Sequence, residues 1–287
     1  MRVQGSEFKA QSSKFNREPG TWSLKLGTLK LEPGTRNPKP KNDIKDVVFL
    51  HGWGLDASIW RELAGQLEPR FRIHALDLPG YGAAPACTPY ALTGLADAVA
   101  NAAPKRCFAV GWSLGGQVAL AWARRAPQQV ERLALIATTP SFTRRARWTC
   151  AVAPRVFGEF ARELAADGAG TLTRFAALQA RGDGRARQVI SALRRSLALC
   201  GEGMRPALEG GLGILHGSDL RAELPAVGQP ALVLQGARDA LVPPAAARRL
   251  AAALPDARLE IMRGCGHAPF LSQPERVAQT LSEFFDG

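Results

Sequence analysis

From Val47 onward the chain alternates short, almost unbroken apolar runs with longer stretches of helical period. Six such runs recur: "VVFL" (47–50), "FRIHAL" (71–76), "CFAV" (107–110), "RLALIA" (132–137), "ALVLQ" (231–235) and "RLEIM" (258–262). A strand with one face in water would alternate polar and apolar residues. Runs without that alternation suit strands covered on both faces, and the helical stretches between them suit the crossovers of a parallel sheet. The pattern predicts an α/β fold built on a mostly parallel, doubly wound sheet.

The rhythm breaks once. About ninety residues separate "RLALIATTP" from "QPALVLQG", where an ordinary crossover needs a single helix. The intervening sequence, including "VFGEFARELAADG" and "GTLTRFAALQARGDGRARQVISALRRSLALC", has helical period punctuated by Gly and Pro. It predicts a helical cap over residues 141–229, inserted into a core made of residues 22–140 and 230–287. Ahead of the first run, "WSLKLGTLKLEPG" (22–34) sets leucines in alternation around Gly27 and predicts an edge hairpin, and residues 1–21 are polar and basic and predict a flexible extension.

Composition narrows the class. With 287 residues and 46% hydrophobic content the chain can bury a large single core, which excludes disorder of the whole. The formal net charge of +12 would suggest nucleic acid, but its placement argues otherwise. Residues 1–45 hold ten Lys and Arg against four Asp and Glu, residues 141–229 hold thirteen against eight, and the remainder is nearly balanced. A basic tail and a basic cap are not a nucleic-acid face, so no nucleic-acid partner is expected. The five cysteines are widely spread, with no metal-ligand spacing, which fits a reducing compartment. The N-terminus lacks the apolar segment of a signal peptide and no stretch reaches the roughly 18 apolar residues of a membrane span. A cytoplasmic protein without a membrane partner is expected, and a monomer.

The chemistry begins at "AVGWSLGG" (109–116), where Ser113 stands between a strand and the helix "LGGQVALAWARRA". A sharp strand-to-helix turn strains its central residue, and Gly111 and Gly115, lacking Cβ atoms, let strand and helix approach closely enough to hold it. The hydroxyl is then presented above the sheet at a helix N-terminus, where amides and the helix dipole favour negative charge.

A serine needs a base to remove its proton and an acid to orient that base. Of four histidines, His74 lies inside a strand, His216 lies in the cap beside Gly217, and His51 opens "HGWG", where bracing the loop suits it better than catalysis. His267, in "GCGHAPF" after the last strand, is the candidate base. Asp239, in "GARDALVP" after the preceding strand, is the candidate acid, because a right-handed βαβ unit sets its two post-strand loops side by side at the carboxyl edge of the sheet. Asp77, in "DLPGYG", is the alternative acid, although the Pro-Gly turn after it suits loop shaping. Attack on an ester carbonyl also needs two donors for the oxyanion. The N–H groups of Leu114, next after the serine, and of Trp53, in the glycine-flanked loop after the first strand, are the candidates. The Trp53 ring reads equally well as an apolar wall of the site or as plain core.

With "FLHGWGLDASIW", "DLPGYG", "GWSLGGQVALAWARRAPQQVERLALIATTP", "GARDALVP" and "GCGHAPFLSQPERV" in register, the chain resembles the α/β-hydrolase superfamily from about residue 46 to 287. "HGWG", "GWSLGG", "RFAALQ", "GGLGIL" and "GHAPF" make it more closely similar to the BioH-type pimeloyl-[acyl-carrier protein] methyl ester esterases of biotin synthesis. The resemblance implies a serine carboxylesterase that removes the methyl group of methyl pimeloyl thioester on acyl carrier protein and leaves the thioester intact. It implies Ser113, Asp239 and His267 as the triad, in the chain order of that superfamily, and Trp53 and Leu114 as oxyanion and substrate contacts. It further implies Phe175, Ala176, Ala177, Leu178 and Gln179 as cap residues lining the acyl channel. Basic cap residues would dock the acidic carrier, and Arg174, Arg187, Arg194 and Arg195 are candidates, with a merely solvated arginine face as the alternative. No metal or organic cofactor is needed. The N-terminal extension is longer than the resemblance leads one to expect. Rival readings keep the triad but change the substrate, to short-chain esters or ring-cleavage products split at a C–C bond, or drop catalysis for ligand binding.

Overall fold

The computed structural model describes residues 44–197 and 202–287, so the predicted extension over 1–21 and hairpin over 22–34 lie outside the described residues. Among the described residues six strands form one sheet: β1 (Asp46–Leu50), β2 (Arg72–Leu76), β3 (Cys107–Trp112), β4 (Val130–Ile136), β5 (Ala231–Gly236) and β6 (Ala257–Met262). Their order is β2-β1-β3-β4-β5-β6, and every neighbouring pair is parallel. Each of the six apolar runs read from the sequence became one of these strands.

Alternation of side chains across the pleat divides the core in two. Val48, Leu50, Ala109, Leu133, Leu135 and Val233 join one apolar cluster, and Val47, Phe49, Phe108, Val110, Ala134 and Leu234 join the other. The first is closed by α2 (Leu92–Ala102), α3 (Leu114–Arg125) and α8 (Pro244–Ala253), through Leu95, Val99, Val118, Trp122, Ala246 and Leu250. The second is closed by α1 (Arg61–Leu67), α9 (Pro269–Ser272) and α10 (Pro274–Asp286), through Leu63, Leu67, Phe270, Val277 and Leu281. The expectation of burial on both faces holds for β1, β3, β4 and β5. It does not hold for β2 and β6, which stand at the two ends of the sheet as the described residues form it and are half-exposed along most of their length. There polar side chains find local partners, as where the His74 ring meets Asp46 across the β1–β2 pair at 2.7 Å.

Between β4 and β5 lie four helices, α4 (Pro154–Ala166), α5 (Gly168–Gln179), α6 (Ala186–Leu197) and α7 (Arg205–Gly217). Of these, α6 shows most plainly why it docks: Val189, Leu193 and Ser196 are buried on one stripe, while Arg187, Arg194 and Arg195 are exposed. Residues Asp43–Gly287, these helices included, form one compact unit. No helix among the described residues is long and apolar enough to cross a membrane.

Sheet order places the site. From β1 the chain runs outward to β2 and then returns to β3 on the other side of β1, so the loops after β1 and β3 diverge at the point where the direction of winding reverses. In open α/β sheets the crevice at such a point receives the ligand. The crossing is tight: a Cβ on Gly115 would sit 2.3 Å from the Leu50 carbonyl oxygen, and one on Gly111 would sit 2.4 Å from that of Gly115. Both obstacles are backbone and cannot swing aside. Gly115→Ala is expected to destabilise the chain by about 1–3 kcal/mol, read as a lower midpoint in urea. Gly65→Ala, on an open helix face with nothing within 4 Å, is expected to be neutral or to stabilise by about 0.5–1 kcal/mol.

Candidate active site

Ser113 links β3 to α3 with φ 55° and ψ −115°, a strained conformation for a residue with a Cβ. It is held there by its own N–H on the Ile136 carbonyl (3.0 Å) and by the Thr138 hydroxyl on its carbonyl (2.7 Å). Among the described residues its side chain has no hydrogen-bond partner, and the residue is 9% exposed. The next amide, that of Leu114, opens the helix and has no acceptor among the described residues.

His267 and Asp239 meet. The ring nitrogen Nδ1 lies 2.7 Å from Asp239 Oδ2, and both side chains are sealed from solvent. The carboxylate is saturated on its other sides: Oδ1 accepts the N–H groups of Leu241 (2.8 Å) and Val242 (3.0 Å), and Oδ2 accepts the Gln235 side-chain amide (2.8 Å). Four donors hold the buried carboxylate still, and an acceptor oxygen at Nδ1 keeps the ring N–H there and leaves Nε2 as the nitrogen with a free lone pair. The His267 backbone is also tied to the turn of the serine, since Trp112 Nε1 donates to the His267 carbonyl at 2.8 Å. No hydrogen bond joins Ser113 Oγ to His267 Nε2; such contacts are commonly long before substrate enters and tighten with it. Cys265 is no rival nucleophile, because burial pushes its thiol up.

Asp77 shapes a loop and does not meet His267. Its two oxygens accept the N–H groups of Ala57 (2.7 Å) and Ala83 (2.9 Å), fastening the loop after β2 to the one after β1. His51 braces the same region: Nε2 accepts the Leu78 N–H (2.9 Å), which leaves Nδ1–H to donate to the Gly52 carbonyl (2.8 Å). Burial holds this imidazole below its ordinary 6.5, against the pull of that carbonyl and of the Asp77 and Asp56 carboxylates, so the ring is neutral and serves both bonds. With the loop so fixed, the Trp53 backbone N–H has no acceptor among the described residues.

The Trp53 ring proves to be wall and core together. It is buried, donates from Nε1 to the Leu208 carbonyl of α7 (2.9 Å), and stands edge-on to Phe160 and Phe175 at 5.7 and 5.4 Å. These rings line a wholly apolar chamber of about 80 Å³ with Phe142, Phe157, Leu178 and Leu241. Phe157 and Leu212 also border a hollow of about 1100 Å³ among α4, α5 and α7.

The stretch 175–179 divides around its helix. Phe175 and Leu178, one turn apart, face the chamber. Ala176 is buried in the cluster that holds Val189 and Leu193, and Ala177 is exposed, so neither lines the chamber as expected. Gln179 meets the base through its backbone, its carbonyl accepting the His267 N–H at 3.0 Å. The four arginines divide as well. Arg174 is spoken for by Glu163 and Asp167, each at 3.5 Å, and by the Thr171 hydroxyl. Arg187, Arg194 and Arg195 share a shallow groove on the outer face of α6 with Ile190 and Ser191, and no acidic side chain among the described residues pairs with them.

Sequence reasoning missed Gln235 and Asp183. The first sits inside an apolar strand run, where an isolated Gln carries no signal. The second lies in "RGDGR" and reads as turn punctuation. Its carboxylate, almost fully buried, accepts the Gly266 N–H next to the base at 2.7 Å.

A model of the alpha/beta hydrolase family matches residues 47–280. The chain is 44% identical to a pimeloyl-[acyl-carrier protein] methyl ester esterase of Nitrosomonas europaea, over 80% of this chain and 92% of that one. It is also 44% identical to a protein of the same name from Aromatoleum aromaticum, over 84% and 98% respectively. Among solved structures, an esterase from Exiguobacterium antarcticum superposes with a TM-score of 0.73 at 22% identity, covering 85% of this chain and 92% of that one, a likeness of fold.

Proposed function

The chain belongs to the alpha/beta hydrolase family, and from that premise we propose that it is a serine carboxylesterase that hydrolyses the methyl ester of pimeloyl-[acyl-carrier protein], releasing methanol. The reaction rests on one observation above the others, the buried His267–Asp239 pair, bonded at the His267 carbonyl to Trp112, the residue before a serine held at positive φ. The substrate rests on the relatives that share the name over most of their length.

His267 Nε2 takes the proton of Ser113 as Oγ attacks the ester carbonyl. Asp239 stabilises the resulting imidazolium without taking its proton. The oxyanion settles on the Leu114 and Trp53 amides, two donors with no acceptor among the described residues. Collapse expels methanol, which leaves with the proton from Nε2. Water then attacks the acyl-enzyme by the same route, and the free carboxylate departs with Ser113 restored. A thioester is itself open to attack, so sparing it is a matter of position: the apolar chamber takes the acyl chain with its distal ester over Ser113, and the carrier stays outside.

The exposed Arg187, Arg194 and Arg195 supply the carrier's docking face, because an acidic partner steered onto unpaired cations associates faster and in one orientation. Reversing Arg187 and Arg194 to Glu is expected to lower the ratio of carrier-linked to free methyl ester turnover at least about tenfold, roughly 1.4 kcal/mol of docking. The parent's rate on the carrier-linked ester is expected to fall with added salt and the variant's to respond weakly. An unchanged ratio would remove α6 from the docking face.

A further inference from the structure

The loop that carries the base is held from above as well as from below. Its ring is fixed by Asp239 of the core, but two successive backbone donors, the N–H groups of Gly266 and His267, go to the α5–α6 turn of the cap: to Asp183 Oδ2 at 2.7 Å and to the Gln179 carbonyl at 3.0 Å. The stitching runs both ways. The Gly184 N–H donates to the Gly264 carbonyl (2.8 Å), and Arg238, beside the acid, donates to the Gly182 carbonyl (3.1 Å). The second oxygen of Asp183 accepts the Arg185 N–H and the Ser272 hydroxyl, each at 2.7 Å, which anchors the carboxylate to α9 and to the residue just before α6. The approach is close enough that a Cβ on Gly266 would lie 2.8 Å from the Gln179 oxygen.

Resting on the triad proposed above, we infer that Asp183 is a positioning residue for His267: the cap, through this carboxylate, sets where the base stands. Without it the Gly266 N–H is a buried donor with no acceptor, a state that drives the loop to move. A shift of about 1 Å in a catalytic group costs on the order of a hundredfold in rate, whereas no residue that lines the apolar chamber is a hydrogen-bond partner of the Asp183 carboxylate.

The test compares Asp183→Ala and Asp183→Asn with the parent on p-nitrophenyl butyrate and in the rate of fluorophosphonate labelling of Ser113, at a temperature below the melting onset of each protein. For Asp183→Ala, kcat is expected to fall about ten- to a hundredfold with KM within about twofold, and labelling to slow in parallel. Asp183→Asn keeps one acceptor oxygen and is expected to lose only about three- to tenfold, a graded rescue that a role confined to stability would not produce. Should the alanine variant fail to fold, the asparagine variant decides. A folded variant with parental kcat, or a loss expressed in KM alone, would overturn the inference. A parent that neither hydrolyses the ester nor labels at Ser113 would instead overturn the hydrolase reading, and this proposal with it.

Discussion

Ser113→Ala is expected to lower kcat/KM for ester hydrolysis by about four to six powers of ten and to abolish fluorophosphonate labelling, with the melting temperature little changed. The hydroxyl has no hydrogen-bond partner among the described residues, so its loss leaves none of their buried groups unpaired. The strain at φ 55° is a property of any residue with a Cβ and passes to alanine undiminished. Residual turnover reflects the Leu114 and Trp53 amides, which still polarise a bound carbonyl. Retention of more than about one per cent of parental activity would remove Ser113 from the reaction.

Asp239→Asn is expected to lower kcat by about 10³–10⁴-fold with a smaller change in KM. Leu241 and Val242 donate to one carboxylate oxygen, so the asparagine carbonyl must turn toward them. The NH₂ then faces Gln235 and His267. Gln235 can answer by rotating its own amide, whose Oε1 is a buried atom without a partner, at the cost of its 2.9 Å bond to the Val242 carbonyl. His267 can answer only by accepting at Nδ1, which moves the proton to Nε2 and leaves no base toward Ser113. Single-turnover kinetics would show the loss in acylation. A variant within tenfold of the parent would mean that another group orients the ring.

The contrast between what the sequence disclosed and what it hid follows from range. Ser113 was legible because a strand-to-helix turn with glycines two residues on either side is a local device, and the clash distances at Gly111 and Gly115 show that device at work. Asp239 and His267 were legible because topology, not contact, predicts them: successive post-strand loops of a parallel sheet are neighbours. Asp183 reaches Gly266 across 83 residues of sequence, and nothing in "RGDGR" points to that partner. The stretch 175–179 erred in the opposite direction. A run of adjacent residues was read as one lining, but a helix turns about 100° per residue, so Phe175 and Leu178 face the chamber while Ala176 and Ala177 do not. The half-exposed β2 and β6 show the same limit, since an apolar run predicts a strand without saying whether it lies at the centre or the edge.

The central claim, cleavage of a carrier-linked methyl ester at Ser113, is tested most directly by incubating the chain with methyl pimeloyl-acyl carrier protein and weighing the product by intact-mass spectrometry. The account predicts a mass lower by one CH₂, a methyl group replaced by hydrogen, with the acyl group still on the carrier, and no such change with Ser113→Ala. Release of the whole acyl group, or an unaltered carrier alongside ready hydrolysis of p-nitrophenyl butyrate, would contradict it.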